Sequence, residues 1–210
     1  MRQRIRTLFA AAAVAAAIAP SVAQAQVVAS NFGPSDSYNL SQGWVVNAAQ
    51  SVAQGFQYTG GNGYFLSQVR VALFFAPAGY TVSFWQGASM NGASLLESWN
   101  ESGAGGIHTM SSVAMPGLIP GDEYWVVAEN SNVGGGAWNF NNQGDYNFSF
   151  RTTSTWSALN DPQYPSPVYD VTVAAGTVTP EPVTIALLGT GLLGLAGAAR
   201  RRRKERDAEV

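Results

Sequence analysis

The chain of 210 residues has no cysteine and a single histidine, His108. Without cysteine there is neither a disulfide framework nor a thiolate metal site. A single histidine also excludes the His and Cys clusters that hold zinc. A Ser-His-acid triad would have to use His108, which stands in GGIHTMSS, and no G-x-S-x-G motif accompanies it. These absences leave little basis for metal-dependent or nucleophilic catalysis.

Basic residues are scarce in the middle of the chain. Of eleven Lys and Arg, three lie in the first seven residues and six between Arg200 and Arg206, which leaves Arg70 and Arg151. Nine acidic residues accompany these two between Gln26 and Thr179, so that segment carries about seven negative charges. Nucleic-acid binding draws its affinity largely from Lys and Arg. We therefore expect no nucleic-acid partner.

Paired carboxylates are the remaining route to hydrolysis. Asp122 and Glu123 are neighbours, and consecutive side chains of a strand point to opposite faces. Glu97 and Glu101 are four residues apart, with a turn predicted between them. Neither spacing predicts two carboxyl groups facing each other across a glycosidic bond. We expect no enzymatic activity and no cofactor; the alternative is a structural calcium ion held by oxygen ligands of the loops NNQGDYN and NDPQ.

The N-terminus has the three parts of a secretory signal peptide. Arg2, Arg4 and Arg6 precede an uninterrupted apolar run from Leu8 to Ala19. A proline and small residues follow, and they favour cleavage after Ala25. The apolar run has twelve residues, whereas a membrane-spanning helix needs ~20. Residues 1–25 are therefore predicted to be a cleaved signal peptide, and the chain to be exported.

The C-terminal segment, residues 176–210, combines an extended motif, an apolar stretch and a cationic end. Pro180 and Pro182 bracket Glu181 and keep the backbone extended. Val183–Ala199 has no charge in seventeen residues, just enough for a helix to cross a thin bilayer. Five cations follow and hold that side in the cytoplasm: Arg200, Arg201, Arg202, Arg203 and Lys204. We predict a precursor anchored in the inner membrane with its body outside; a buried core helix is the alternative that these cations disfavour.

This order of Pro180-Glu181-Pro182, helix 183–199 and basic residues 200–206 resembles the PEP-CTERM sorting signal of Gram-negative bacteria. In that family the tail is recognised by exosortase, a membrane-embedded enzyme similar to a cysteine transpeptidase. The resemblance implies that exosortase binds the Pro-Glu-Pro motif, removes the tail and passes the protein to the cell surface or the exopolysaccharide matrix. It covers about thirty residues and concerns sorting, not the activity of the body.

The body, residues 26–175, has the length of one domain and no helical periodicity. Apolar residues alternate in short runs between Gly, Asn and Pro, as is typical of strands. The alternation predicts inward positions at Val69, Val71, Leu73 and Phe75; Tyr80, Val82 and Phe84; Tyr124, Val126 and Ala128; Tyr146, Phe148 and Phe150; Tyr169, Val171 and Val173. Further candidate strands are Val52–Tyr58, Leu95–Trp99 and Ile107–Val113, and predicted connections are APAG, LIPGD and NVGGGA. We predict an all-β fold of about eight strands, an antiparallel jelly-roll-like β-sandwich.

The body also resembles a choice-of-anchor ectodomain. The resemblance lies in stretches rich in aromatic residues, Gly and Asn: SNFGPSDSYNLSQGWVV, QSVAQGFQYT, SLLESWN, LIPGDEYWVVAE and GAWNFNN. Members of this family are bacterial surface domains that occur with interchangeable C-terminal anchors, PEP-CTERM among them. The resemblance implies a small β-rich module displayed outside the cell, and it brings no catalytic residues with it.

Aromatic residues are plentiful, with six tryptophans and eight tyrosines. Sugar rings stack on exposed aromatic faces, and Trp138 and Trp156 stand in Gly-rich or polar stretches, which makes them the best candidates for accessible tryptophans. Asn139 would add an amide beside Trp138. A sandwich core also needs large side chains, so burial is the favoured interpretation for any single tryptophan.

These observations favour an exported, non-catalytic structural or adhesive protein of the cell surface or extracellular matrix, with an acidic surface and exposed edge strands. A module that binds exopolysaccharide through Trp138, Trp156 and Asn139 is the alternative function.

Overall fold

The computed structural model of the protein describes residues 25–152 and 154–176, without the side chain of Ala78. All of these residues belong to the first of two units into which the chain divides, Met1–Gly176 and Thr177–Val210. The described part contains two single-turn 3-10 helices, Pro34–Asp36 and Met90–Gly92. It also contains ten strands: β1 (Ala25–Ser30), β2 (Gly43–Val46), β3 (Ser51–Gln57), β4 (Tyr64–Gln86), β5 (Ser94–Ser111), β6 (Glu123–Asn130), β7 (Gly136–Asn139), β8 (Asn147–Arg151), β9 (Trp156–Asn160) and β10 (Tyr169–Ala175).

The pairings between these strands are antiparallel, which confirms the predicted all-β, antiparallel class. The strands follow the order β1-β10-β4-β6-β3-β8-β9, with β5 and β7 attached to β4, and β2 attached to β7. β4 has 23 residues and pairs with β10, β5, β6 and β7 along different parts of its length. It is therefore the strand that connects the whole sheet.

β4 and β5 run side by side and bend at the same level. Their register is interrupted between Ala76 and Tyr80. Here Gly79 has a φ of 82° and Gly103 on the facing strand a φ of 135°, conformations that residues with a Cβ adopt only at a cost. The predicted connection APAG is therefore a bend within β4 and not a turn between separate strands.

The two halves of β5 face each other across the protein. The indole Nε1–H of Trp99 donates a hydrogen bond to the carbonyl oxygen of Ser111, 3.1 Å away and twelve residues later in the same strand. A straight strand would separate these residues by ~40 Å. Glu97 makes a contact of the same kind, accepting a hydrogen bond of 2.7 Å from the backbone N–H of Val113. The sheet therefore folds back on itself at the common bend.

The core lies between the facing parts of the sheet. The rings of Phe56 on β3 and Tyr169 on β10 are 6.2 Å apart, although β4 and β6 lie between these strands in the sheet order. Four predicted runs are confirmed by burial: Val69, Val71 and Leu73; Tyr80, Val82 and Phe84; Tyr124, Val126 and Ala128; Tyr169, Val171 and Val173. In the fifth run Phe148 is buried, Phe150 is half-buried, and Tyr146 lies before the strand.

Phe75 is 43% exposed, so its predicted inward position is wrong. It stands next to the bend of β4, where the strict alternation of side chains is interrupted. The alternation also leaves β1, β2, β7 and β9 unpredicted, because these strands have only four to six residues and show little alternation. Leu95–Trp99 and most of Ile107–Val113 are two parts of β5.

The predicted signal peptide, apart from Ala25, lies outside the described residues, as do Pro180, Glu181, Pro182, the helix 183–199 and the cations from Arg200 to Arg206. These elements stay predictions. Within residues 25–152 and 154–176, no helix combines the length and the apolar character that crossing a membrane requires.

Candidate functional site: a tryptophan cleft

Trp138 and Asn139 are buried, so Trp138 follows the core interpretation and is not the accessible candidate that its Gly-rich context suggested. Both lie on β7, between β2 and β4 in the sheet, and Trp138 packs in the main hydrophobic core. Trp138 has no exposed surface, and its Nε1–H donates to the carbonyl oxygen of Val168 at 2.6 Å. Asn139 is 1% exposed and donates through Nδ2 to the carbonyl oxygen of Asn39 at 2.8 Å. As placed, neither side chain offers a surface to a sugar.

Trp156, the other predicted aromatic residue, lies at a cleft on the outer side of the sheet. It is half-buried at the start of β9, and it lines a cavity of about 300 Å³. The remaining lining residues are Trp85, Met90, Asn91, Glu129, Arg151 and Ser154. We call this cavity the tryptophan cleft.

A second apolar cluster supports the cleft. Ala53 of β3 and Val127 of β6 are fully buried there together with Met90. The indoles of Trp85, Trp125 and Trp156 pack against these residues and remain half-buried. Trp85 and Trp125 are direct cross-strand partners, so their side chains lie on the same face of the sheet. The aromatic character of this face follows from alternate positions on β4 and β6 that point away from the main core.

Asn91 fixes Trp156 in place. Its Oδ1 accepts a hydrogen bond of 2.9 Å from the backbone N–H of Trp156, and its Nδ2 donates one of 3.0 Å to the carbonyl oxygen of the same residue. Asn91 belongs to the 3-10 turn between β4 and β5, so the two contacts tie this turn to the start of β9. The wall that carries Trp156 is thereby preorganised.

Arg151 and Glu129 form an ion pair at the cleft. One guanidinium nitrogen of Arg151 contacts Oε1 of Glu129 and also donates to the hydroxyl of Ser51 at 3.2 Å. The guanidinium carbon lies 4.9 Å from the centre of the Trp156 ring, within the range of cation–π attraction. The side chains of Arg151 and Glu129 are 32% and 34% exposed. Both therefore keep polar surface that a ligand can reach.

The cleft combines aromatic and polar groups. Two indoles and the Met90 side chain line it beside four polar residues, and more of its lining surface is polar than apolar. Its lining contains one carboxylate, Glu129, whereas glycoside hydrolysis ordinarily uses two carboxyl groups. The arrangement can stack a ring against an indole and hydrogen-bond its substituents, and it does not present the acid and base pair of a hydrolase.

The other residues considered from sequence lie elsewhere. The predicted turn between Glu97 and Glu101 is wrong, because both residues are on β5. Nδ1 of His108 is 2.8 Å from Oε2 of Glu101, and Nε2 is 3.2 Å from the carbonyl oxygen of Ala104, so the histidine joins the two halves of β5. Asp122 accepts a hydrogen bond of 2.7 Å from Gln86.

One of the oxygen ligands considered for calcium makes hydrogen bonds to other residues of the protein. The carboxylate of Asp145, in the loop NNQGDYN, accepts hydrogen bonds from Ser166 at 2.9 Å and Asn31 at 3.2 Å. Among the described residues, no three His, Cys, Asp or Glu side chains come together as a metal site. A structural calcium ion stays an untested alternative.

Comparison with known proteins places the chain in no family. No family model and no curated protein matches it. One solved structure with a distant similarity to this chain contains the cysteine protease and lectin-like domains of Cwp84, a surface layer associated protein of Clostridium difficile. The match covers 61% of this chain and 32% of that chain, with a TM-score of 0.49 and 11% identity. The chain thus spans about a third of that protein, and a likeness of this degree assigns it no activity and no ligand.

Proposed function

We propose that this chain is an exported, non-catalytic surface protein whose β-domain binds carbohydrate in the tryptophan cleft. The observation that carries the proposal is the joint lining of one cavity by Trp85, Trp156 and the Arg151–Glu129 pair. Indole faces provide apolar area with little loss of side-chain freedom, and the ion pair provides donors and acceptors for hydroxyl groups. Because the protein is predicted to reach the cell surface or the extracellular matrix, exopolysaccharide is the carbohydrate that we propose it binds.

The proposed route to the surface rests on the two terminal segments. The signal peptide exports the body, and exosortase recognises Pro180-Glu181-Pro182 while Arg200–Arg206 remain in the cytoplasm. The described part of the domain begins and ends at neighbouring positions, because Ala25 at the start of β1 pairs with Ala174 near the end of β10.

The fold proposed for the domain is a β-sandwich of the jelly-roll type. The contact between Trp99 and Ser111 and the closeness of the Phe56 and Tyr169 rings support two facing layers. β4 and β5 pass from one layer to the other through their common bend, as strands do at the corners of folded sheets.

A purely structural or adhesive role is the second candidate. Along its 18 residues, β5 pairs with β4 alone in the described part of the chain, so its other edge faces outward. An open strand edge is a template for pairing with another chain. Self-association without glycan binding would favour this role.

Affinity electrophoresis of the full chain in mild detergent, in gels with and without polysaccharide, tests carbohydrate binding. We expect retardation by at least one polysaccharide and its loss in Trp156→Ala. Phe74→Ala is the matched control, because Phe74 is 53% exposed and lines a different groove. Equal retardation of both variants, or none of the parent chain, would remove the cleft as a carbohydrate site.

A further inference from the structure

We infer that the tryptophan cleft selects uncharged glycans and rejects polyuronates and other anionic polysaccharides. This inference rests on the carbohydrate-binding function proposed above and specifies its ligand class. It comes from the way in which the few cations of the domain are used.

Both arginines of the described residues are already neutralised. Arg151, the cation of the cleft, is paired with Glu129. Arg70 lies between Asp36 and Asp170, at 2.8 Å from a carboxylate oxygen of the former and in contact with that of the latter. A uronate chain would find no unpaired guanidinium in this part of the protein, and binding it at Arg151 would require displacing Glu129. Displacement leaves a carboxylate beside an anionic ligand, which is unfavourable.

The negative charge of the domain also disfavours anionic glycans. The segment from Gln26 to Thr179 carries nine acidic residues against two basic ones. This negative surface repels a polyanion before contact and slows its association. An uncharged glycan experiences no such repulsion, and its binding depends on contacts within the cleft.

The polar groups of the cleft suit hydroxyl groups. A hydroxyl both donates and accepts hydrogen bonds. Glu129 is an acceptor, Arg151 is a donor, and the two lie side by side with about a third of each side chain exposed. Adjacent hydroxyls of a neutral sugar can therefore bind one to each partner while the ion pair stays intact. The cavity of about 300 Å³ is at the small end of the range of ~300–1,000 Å³ for ligand sites, which fits a short stretch of a chain.

Affinity electrophoresis with two classes of polysaccharide tests the selectivity. Dextran, galactomannan and a soluble β-glucan serve as neutral probes, and alginate and polygalacturonate as anionic probes. We expect the full chain to be retarded by at least one neutral probe, with little change as salt is raised, and by neither anionic probe. Salt independence separates stacking and hydroxyl contacts from ion pairing.

Glu129→Gln inverts the preference. It leaves Arg151 without its carboxylate partner, so we expect retardation by alginate to appear, to diminish with salt, and to be accompanied by about tenfold weaker neutral binding. Glu123→Gln is the control: it removes the same charge from the same strand but lines a different cavity. Circular dichroism establishes that both variants are folded.

The outcomes separate the two proposals. Retardation of the parent chain by an anionic probe, lost in Trp156→Ala, would overturn the selectivity and leave carbohydrate binding at the cleft intact. The same anionic retardation in Glu123→Gln as in Glu129→Gln would also overturn it, because net charge alone would then account for the effect. Absence of binding to every probe would overturn both the proposed function and this inference.

Discussion

Asn91 hydrogen-bonds to the backbone of Trp156, at 2.9 Å and 3.0 Å, through both ends of its amide. The pair is separated by 65 residues and joins a turn to the start of a strand. The position of one aromatic wall of the tryptophan cleft thus depends on a polar residue that itself lines the cleft.

Replacing Asn91 by Ala should weaken carbohydrate binding about tenfold and lower the free energy of unfolding by ~1–2 kcal/mol, since two hydrogen bonds of ordinary strength are lost. Asn91→Asp keeps the acceptor for the Trp156 N–H and loses the donor. Its carbohydrate binding and its free energy of unfolding should therefore lie between those of the parent chain and Asn91→Ala. Asn62→Ala, in an exposed turn, is the control. Unchanged binding by Asn91→Ala, measured in affinity gels, would show that Trp156 is held by packing alone.

Trp138→Phe should destabilise the domain by ~2–4 kcal/mol without altering the ligand preference. The substitution leaves a cavity at a fully buried site and deprives the Val168 carbonyl oxygen of its donor. Trp156→Phe, at the half-buried position, should cost less than ~1.5 kcal/mol but weaken carbohydrate binding. Urea denaturation followed by circular dichroism compares the two, and a reversed order of stability would contradict the assigned burial.

Tyr80 makes the domain sensitive to alkaline conditions. It is fully buried, and burial raises the pKa of its hydroxyl far above the ordinary value. The Tyr80 hydroxyl therefore loses its proton more easily in the unfolded chain. The free energy of unfolding should be unaffected by this group below pH ~10 and should fall as the pH rises above that value. Burial raises the pKa of Tyr169 in the same direction.

Tyr80→Phe tests this sensitivity. The Tyr80 hydroxyl has no hydrogen-bond partner among the described residues, so its removal should raise the free energy of unfolding by ~1 kcal/mol at neutral pH and shift the alkaline transition upward. Thermal unfolding across a pH series measures both effects. A loss of stability in Tyr80→Phe would show that the hydroxyl is satisfied in solution.

Arg70→Leu should be among the most damaging single changes, at ~3–5 kcal/mol. Asp170 is 1% exposed and would keep its buried charge without a partner, whereas Asp36, on the other side of Arg70, has 46% of its side chain exposed. Asp36→Asn should therefore cost less than ~1 kcal/mol. Equal denaturation midpoints for the two variants would contradict the greater dependence of the domain on the Arg70–Asp170 pair.

Sorting is tested by two changes in the C-terminal segment. Substituting Ala for Pro180, Glu181 and Pro182 should leave an unprocessed precursor in the inner membrane, because exosortase loses its proposed recognition motif.

Substituting Gln for Arg200, Arg201, Arg202, Arg203 and Lys204 should impair retention of the tail in the cytoplasm. Cell fractionation and immunoblotting follow both, and normal surface delivery of either variant would exclude the corresponding role.

The sequence predicts the parts of this protein that depend on local periodicity. The alternation around Val69, Tyr80, Tyr124 and Tyr169 gives the strands and their buried faces, because the spacing of side chains along a strand is local. Alternation does not distinguish a bend from a chain reversal, so β4 and β5 are each predicted in separate pieces. The burial of Trp138 depends on core residues that are distant from it in the chain, so local alternation does not predict it.

The candidate site is predicted only through Trp156. Its partners come from three other parts of the chain, and no spacing relates Trp85, Asn91 and Glu129 to it. One signal was available in the sequence: Arg151 is one of two basic residues in the body, and so rare a cation is expected to have a specific partner. That partner, Glu129, is 22 residues away and depends on the pairing of β3 with both β6 and β8.

The pairing of β1 with β10 also bears on how the domain acquires its structure. In the described sheet β10 is the only partner of β1, yet the two strands are separated by nearly the whole domain sequence. When a chain is secreted from its N-terminus, β1 can pair with β10 only after this last strand has been synthesised and has crossed the membrane. Contacts of such long range form slowly. Under the export proposed above, the sheet is therefore completed only at a late stage of translocation.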